Sequence, residues 1–191
     1  MFIGGLRLTV VPPEDCGSRD VASLENAAIA AANWIERSQK PDGTYVYEYN
    51  ADTNTESTEY NEVRHAGVTM GLYQAAGRLQ LPGALAAGDK AVGWMEGHLI
   101  RKHGWALLAP AGDTGPLGGN ALMLIGLTER RAVTGDKKYD DLMHELARFI
   151  TAVEKDDGSF APGWDFTTGW GTPNAANLAQ SYVDYLKSQK K

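Results

Sequence analysis

Asn61, Glu62, Arg64 and His65 stand within five positions at the head of the run "YNEVRHAGVTMGLYQAAG". An amide, a carboxylate, a guanidinium and an imidazole thus open a stretch that is otherwise almost wholly apolar or small. The pattern predicts a helix beginning near Asn61, whose side chain can cap free backbone N–H groups. Glu62 suits the positive end of that helix, and Arg64 does not. Ala66 and Gly67 let the helix approach its neighbours closely, so its polar first turn is expected to look into a cavity. A buried Arg64 needs an anion. Glu48, Glu59 or Asp165 could supply one from within the chain. Otherwise Arg64 would meet the carboxylate or hydroxyls of a ligand, with His65 beside it as acid, base or hydrogen-bond donor.

Composition excludes several other chemistries. The chain has 191 residues and a formal charge of −6, with Lys and Arg scattered. A nucleic-acid or anionic-membrane surface needs a basic patch, so neither partner is expected. The single cysteine, Cys16, permits neither an internal disulfide nor a cysteine-based zinc cage. The histidines at 65, 98, 103 and 144 lack HExxH spacing. "GPLGGN" lacks the Lys-Ser/Thr of a phosphate loop. No metal and no cofactor is expected. No apolar run reaches the ~20 residues of a membrane span. The start has no basic leader region, which makes it a poor signal peptide and suggests a cytoplasmic protein if the chain is complete. Residues 1–19 look extended: a strand-like Leu6 to Val11, stopped by Pro12-Pro13.

The elements that must position the polar cluster recur along the chain. Trp34, Trp94 and Phe149 each end a helical pattern, Gly43, Gly104 and Gly158 follow, and Tyr45, Trp105 and Phe160 come next. The glycines are 61 and then 54 residues apart (104 − 43; 158 − 104), and self-similar landmarks with a period in that range signal a repeat fold. One-sided helices carry Leu24, Ala27, Ala28, Ala31 and Trp34; then Leu85, Val92, Met95 and Leu99; then Tyr139, Leu142, Met143, Leu146, Phe149, Ile150 and Val153. "AGVTMGLYQAAG" and "NALMLIGL" are apolar all round, as helices buried on both sides are. A last, more polar helix is expected over about 173–189. The expected class is all-α, with hairpin repeats over about 20–80, 83–135 and 136–191.

The alternation of one-sided helix, glycine turn, aromatic segment and two-sided helix, best seen in "GNALMLIGLTERRAVTGDKKYDDLMHELARFITAVEKDDGSFAPGWDF", resembles the α/α-toroid proteins. These include six-hairpin glycosidases, polysaccharide lyases and the terpenoid-cyclase and prenyltransferase group. The resemblance covers residues 20 to 190 and half of the usual six hairpins. It implies an incomplete toroid, and with it self-association or a missing C-terminal half.

The resemblance also implies that the loops after the glycine turns rim a funnel. That selects Tyr47, Tyr49, Tyr60, Asn61, Asn120, Trp164, Asp165, Trp170 and Asn174 for a carbohydrate or other small polar ligand. A hydrolase would use paired carboxylates from among Glu48, Glu59, Glu62, Asp113 and Asp165. A lyase would use Asn61 and Arg64 to neutralise a uronate, with His65 or Tyr60 as base. A rim that only binds a glycan or a partner protein is the alternative. A terpenoid cyclase is disfavoured because no "DxDD" run is present, and a zinc prenyltransferase because the only cysteine is at the wrong end.

Overall fold

The computed structural model describes residues 20–110, 115–154 and 160. Five helices dominate: α1 Val21–Ser38, α2 Glu62–Arg78, α3 Pro82–Glu96, α4 Leu117–Thr134 and α5 Asp140–Ala152. Two small antiparallel hairpins interrupt them. β1 Tyr49–Asn50 pairs with β2 Thr55–Glu56, and β3 Leu99–Lys102 pairs with β4 Trp105–Leu108. The described residues are therefore mainly α, with strand pairing confined to these two short hairpins. The strand-like segment expected at residues 6–11 and the helix expected at 173–189 lie outside the described residues. No described helix is long and apolar enough to cross a membrane.

The helices lie in an alternating order. On α2 and α4, Glu62 and Val63 face Gly119, Met70 faces Gly126, and Val133 lies against Gly77. Both numbers rise together, so the two helices run parallel. The glycines allow the backbones to approach: a Cβ on Gly126 would sit 3.4 Å from the Met70 Cα. Beside them, Glu36 touches Gly83 and Gln39 donates to the Ala87 carbonyl at 2.8 Å. The end of α1 thus runs parallel to α3. Between each inner helix and the outer helix that follows it the sense reverses. His65 meets Ala91 while Tyr73 meets Gly88; Thr128 meets Met143 while Arg131 meets Asp140. So α3 is antiparallel to α2, and α5 to α4.

Two of the landmark glycines, Gly43 and Gly104, form turns that join these layers, and Gly158 lies outside the described residues. Pro41, Asp42 and Gly43 make a turn closed by Gly43 N–H to the Lys40 carbonyl at 3.1 Å. Gly43 has a φ of 92°, and a Cβ there would meet the Lys90 carbonyl of α3 at 2.5 Å. His103 and Gly104 form the two-residue loop between β3 and β4, with φ of 52° and 79°. Two consecutive positive φ values mark the hairpin turn that matches strand twist. The Gly104 carbonyl accepts from Arg148 Nη1 of α5 at 3.0 Å. Each turn therefore leans on the next outer helix.

Core burial follows this plan. Tyr139, Leu142, Leu146 and Ile150 of α5 are buried with Met123, Leu124 and Leu127 of α4. Val153, expected on that face, is exposed because it lies past the helix end. On α1 the expected stripe is not buried: Ala32 is the one buried residue of that helix.

Candidate functional site

The run from Tyr60 to His65 begins α2 as its sequence suggests. Asn61 is the N-cap, and its Oδ1 accepts from the Arg64 N–H at 2.9 Å. This cap fixes the first turn beside the loop that follows the Gly43 turn.

Two adjoining hollows meet there. The larger, about 500 Å³, is lined by Lys40, Thr44, Tyr47, Glu56, Glu59 and Trp94, among others. The smaller, about 130 Å³, is lined by Asn61, Arg64, His65 and Val68. Tyr45, Tyr47 and Tyr60 belong to both, so the two form one aromatic cleft. Tyr60 lies edge-on to Trp94 at 5.2 Å and edge-on to Tyr47 at 6.3 Å between ring centroids. Lys40 Nζ pairs with Glu56 Oε2 at 2.7 Å, which places a fixed cation and a fixed anion in the cleft wall. A groove of about 680 Å³ at the far end of α2 offers Ala76, Leu81, Pro82, Leu85 and Val133 but no titratable group.

His65 forms the floor of the cleft. It is 2% exposed. Its Nε2 lies 3.0 Å from the Ala91 carbonyl, which can only accept, so Nε2 carries the proton. Nδ1 must then accept from the Tyr60 hydroxyl at 2.6 Å. The Tyr60 oxygen in turn accepts from the Tyr45 N–H at 3.1 Å. Burial lowers the His65 pKa to about 4, although the Ala91 carbonyl and Asp42 act the other way. The same burial raises Tyr45 and Tyr60 to about 12. Both His65 nitrogens are thus occupied within the fold, and a neutral imidazole with no free lone pair makes a poor general base.

Arg64 departs from expectation. It is exposed, and its guanidinium stands 4.8 Å from the centroid of the Tyr47 ring. The first turn of α2 points it out to the rim, so no buried anion is needed. Among the described residues it makes no ion pair.

The other expected residues scatter. Tyr47, Tyr60 and Asn61 line the cleft. Glu62 lies beside Gly119 at the contact with α4. Glu48 is exposed before β1, and its carbonyl accepts from the Ser57 N–H at 2.9 Å. Tyr49 is exposed on β1 and donates its hydroxyl to Asn54. Asn120, expected on the rim, is 0% exposed. Its amide accepts from the Leu108 N–H at 2.7 Å and donates to the Pro116 carbonyl at 3.0 Å, tying β4 to α4. A backbone tie of this kind leaves it nothing to offer a ligand. Trp164, Asp165, Trp170, Asn174 and Asp113 lie outside the described residues.

Lys40, Thr44 and Glu56 were missed as site residues. Lys40 and Thr44 flank the Pro-Asp-Gly turn, so the turn itself was the available signal. A second polar cluster was missed entirely. Arg130 of α4, 6% exposed, donates to both oxygens of Asp89 on α3, at 2.6 and 3.1 Å, and to Asp136 at 3.2 Å. Tyr73 of α2 donates to Asp89 at 2.8 Å, and Tyr139 lies under the guanidinium at 4.9 Å. The hydrogen bonds to Asp89 raise the Arg130 pKa, and burial raises that of Tyr73. Every polar atom in this cluster has a partner, as in a structural clamp.

The chain matches no protein-family model, no curated protein and no solved structure.

Proposed function

We propose that the aromatic cleft at the head of α2 binds a carbohydrate or a similar polyhydroxylated ligand, on a helical arc of the α/α-toroid kind. The observation that carries this reading is the cleft wall: Tyr47, Tyr60 and Trp94 beside Lys40, Glu56 and Glu59. Aromatic faces offer apolar contact to a sugar ring's C–H face, and fixed charges accept or donate to its hydroxyls. The parallel α2 and α4, each paired with an antiparallel partner, support the toroid part of the reading.

Binding without turnover is the better supported form, because His65 is committed to Tyr60 and Ala91. Hydrolysis is the second reading. Glu56 and Glu59 line the same cleft, and glycoside hydrolysis uses two carboxylates. A glycan-array screen followed by calorimetry on the hits tests both forms. Tyr47→Ala and Glu59→Gln should each weaken binding by about tenfold, the scale of a lost ring contact or charged hydrogen bond. Turnover that Glu56→Gln and Glu59→Gln abolish, with binding kept, would favour the hydrolase. Binding untouched by Tyr47→Ala would remove the cleft from consideration.

A further inference from the structure

The two hollows of the aromatic cleft differ in what their side chains can exchange with a ligand. The larger mixes donors and acceptors: Lys40, Thr44, Ser57 and Thr58 stand with Glu56 and Glu59. Such a mixture suits hydroxyls, which donate and accept at once. The smaller hollow is different. Its polar side chains are Tyr45, Tyr47, Tyr60, Asn61, Arg64 and His65. His65 spends both nitrogens on Tyr60 and Ala91, and the Tyr60 oxygen accepts from the Tyr45 N–H. The Tyr45 hydroxyl accepts from Gln39 at 3.5 Å, and Asn61 Oδ1 caps α2.

What remains for a ligand is almost all donor. Asn61 Nδ2 has no acceptor among the described residues, and there the Arg64 guanidinium meets only the Tyr47 ring. Amide and guanidinium N–H groups only donate. Arg64 is also the one charged side chain among the described residues that line this hollow. The carboxylates around the cleft leave it free: Glu56 pairs with Lys40, Asp42 accepts from Thr44, and Glu62 lies beside Gly119. A sugar hydroxyl placed here would find one side-chain acceptor for its proton, the Tyr47 oxygen. A carboxylate brings no proton and takes both donors. At about 130 Å³ the hollow holds roughly four waters of about 30 Å³ each, which fits a substituent and not a second ring.

We infer that the cleft selects an acidic sugar, with the carboxylate held in the smaller hollow by Arg64 and Asn61 and the ring hydroxyls in the larger. The inference rests on the carbohydrate reading of the cleft and adds the charge of the ligand and the residue that reads it. A guanidinium is a planar fork that matches a carboxylate. Tyr47 holds that fork at the mouth of the hollow, 4.8 Å from its ring centroid. A charge-assisted bond is about twice as strong as a neutral one, so the acid should bind about tenfold more tightly than an uncharged sugar of the same shape. Arg64 is exposed, and added salt should erode the preference.

NMR titration of the full chain with glucuronate, its neutral amide glucuronamide, glucose and acetate tests this, with galacturonate and its amide run in parallel. Each acid should bind about tenfold more tightly than its amide and than acetate, and the Tyr47 and Asn61 N–H resonances should move. Arg64→Gln keeps a donor and loses the charge, and should bring the acid-to-amide ratio near one. Lys102→Gln removes the same charge from the exposed end of β3 and should leave the ratio as it is. Equal binding of acid and amide at the cleft would overturn this inference and leave the carbohydrate reading standing. Acetate as tight as the acids would overturn it too, by showing an anion site that reads no sugar. A ratio lowered as far by Lys102→Gln as by Arg64→Gln would trace the preference to net charge and equally overturn it. No shift at the cleft with either sugar series would end this inference, while the glycan-array screen decides the broader reading on its own.

Discussion

The Tyr60 hydroxyl donates to His65 Nδ1 at 2.6 Å, while His65 Nε2–H is held by the Ala91 carbonyl of the neighbouring helix. The rim of the cleft is thereby tied through one imidazole to the backbone of α3. Protonating that imidazole would put a hydrogen on Nδ1 and break the bond to Tyr60 as it stands.

Stability should therefore depend on pH through His65. Its folded pKa, about 4, lies below the 6.5 of the free side chain. Between those values the unfolded chain binds a proton that the folded chain refuses, so stability falls as pH drops from 6.5 toward 4. The loss approaches roughly 3 kcal/mol, since each pKa step is worth about 1.4 kcal/mol. Asp42 and His98 also act on this site, with opposite signs. Melting curves from pH 4 to 7 should show the slope in the wild type. His65→Gln can keep both hydrogen bonds without titrating, and should flatten it. An equal slope in both proteins would locate the titration elsewhere.

Arg64→Ala should cost less than about 1 kcal/mol, the worth of an exposed cation over a ring. Urea unfolding measures it. A loss several times larger would mean that Arg64 has a buried partner.

Arg130 should behave in the opposite way. It is buried against Asp89, which is itself about one-third exposed. Arg130→Ala strands that carboxylate, and the cost should lie at the low end for a broken buried pair, about 3 kcal/mol. Arg130→Met together with Asp89→Leu should recover much of it, because an apolar pair leaves no orphaned charge. A double variant no better than Arg130→Ala alone would show that the packing on Tyr73 and Tyr139 matters more than the charge.

Two helical glycines should respond with opposite signs. A Cβ on Gly71 meets nothing within 4 Å, so Gly71→Ala should stabilise α2 by up to about 1 kcal/mol. A Cβ on Gly88 would lie 2.7 Å from the Tyr73 ring, which is fully buried and held by Asp89. Gly88→Ala should therefore cost about 1–3 kcal/mol, as overpacking does. Chemical denaturation of the two single variants checks both. If Gly88→Ala proves neutral, α3 and Tyr73 are not in this close contact.

Local chemistry was legible in the residues alone. Asn61 has the side chain of an N-cap and stands where the apolar pattern begins. Asp-Gly and His-Gly break helical patterns because glycine reaches positive φ cheaply, and Tyr139, Leu142, Leu146 and Ile150 repeat at the helical period. Each property depends on a few neighbouring positions. What lay beyond reach depends on direction and on distant partners. Arg64 looked buried because its helix is apolar, yet the start of α2 turns it onto Tyr47. Asn120 looked like a rim residue because the toroid resemblance puts the segment after the Gly104 turn at the rim, yet the approach of β4 buries it as a backbone tie. Lys40 and Glu56, or Arg130 and Asp89, become pairs only when separate segments meet. The sequence by itself determined the start of α2 at Asn61, the turns at Gly43 and Gly104 and the apolar stripe on α5. The tertiary structure decided which stripes are covered and where each polar group points, because burial and ion pairing belong to the packed chain and not to any segment of it.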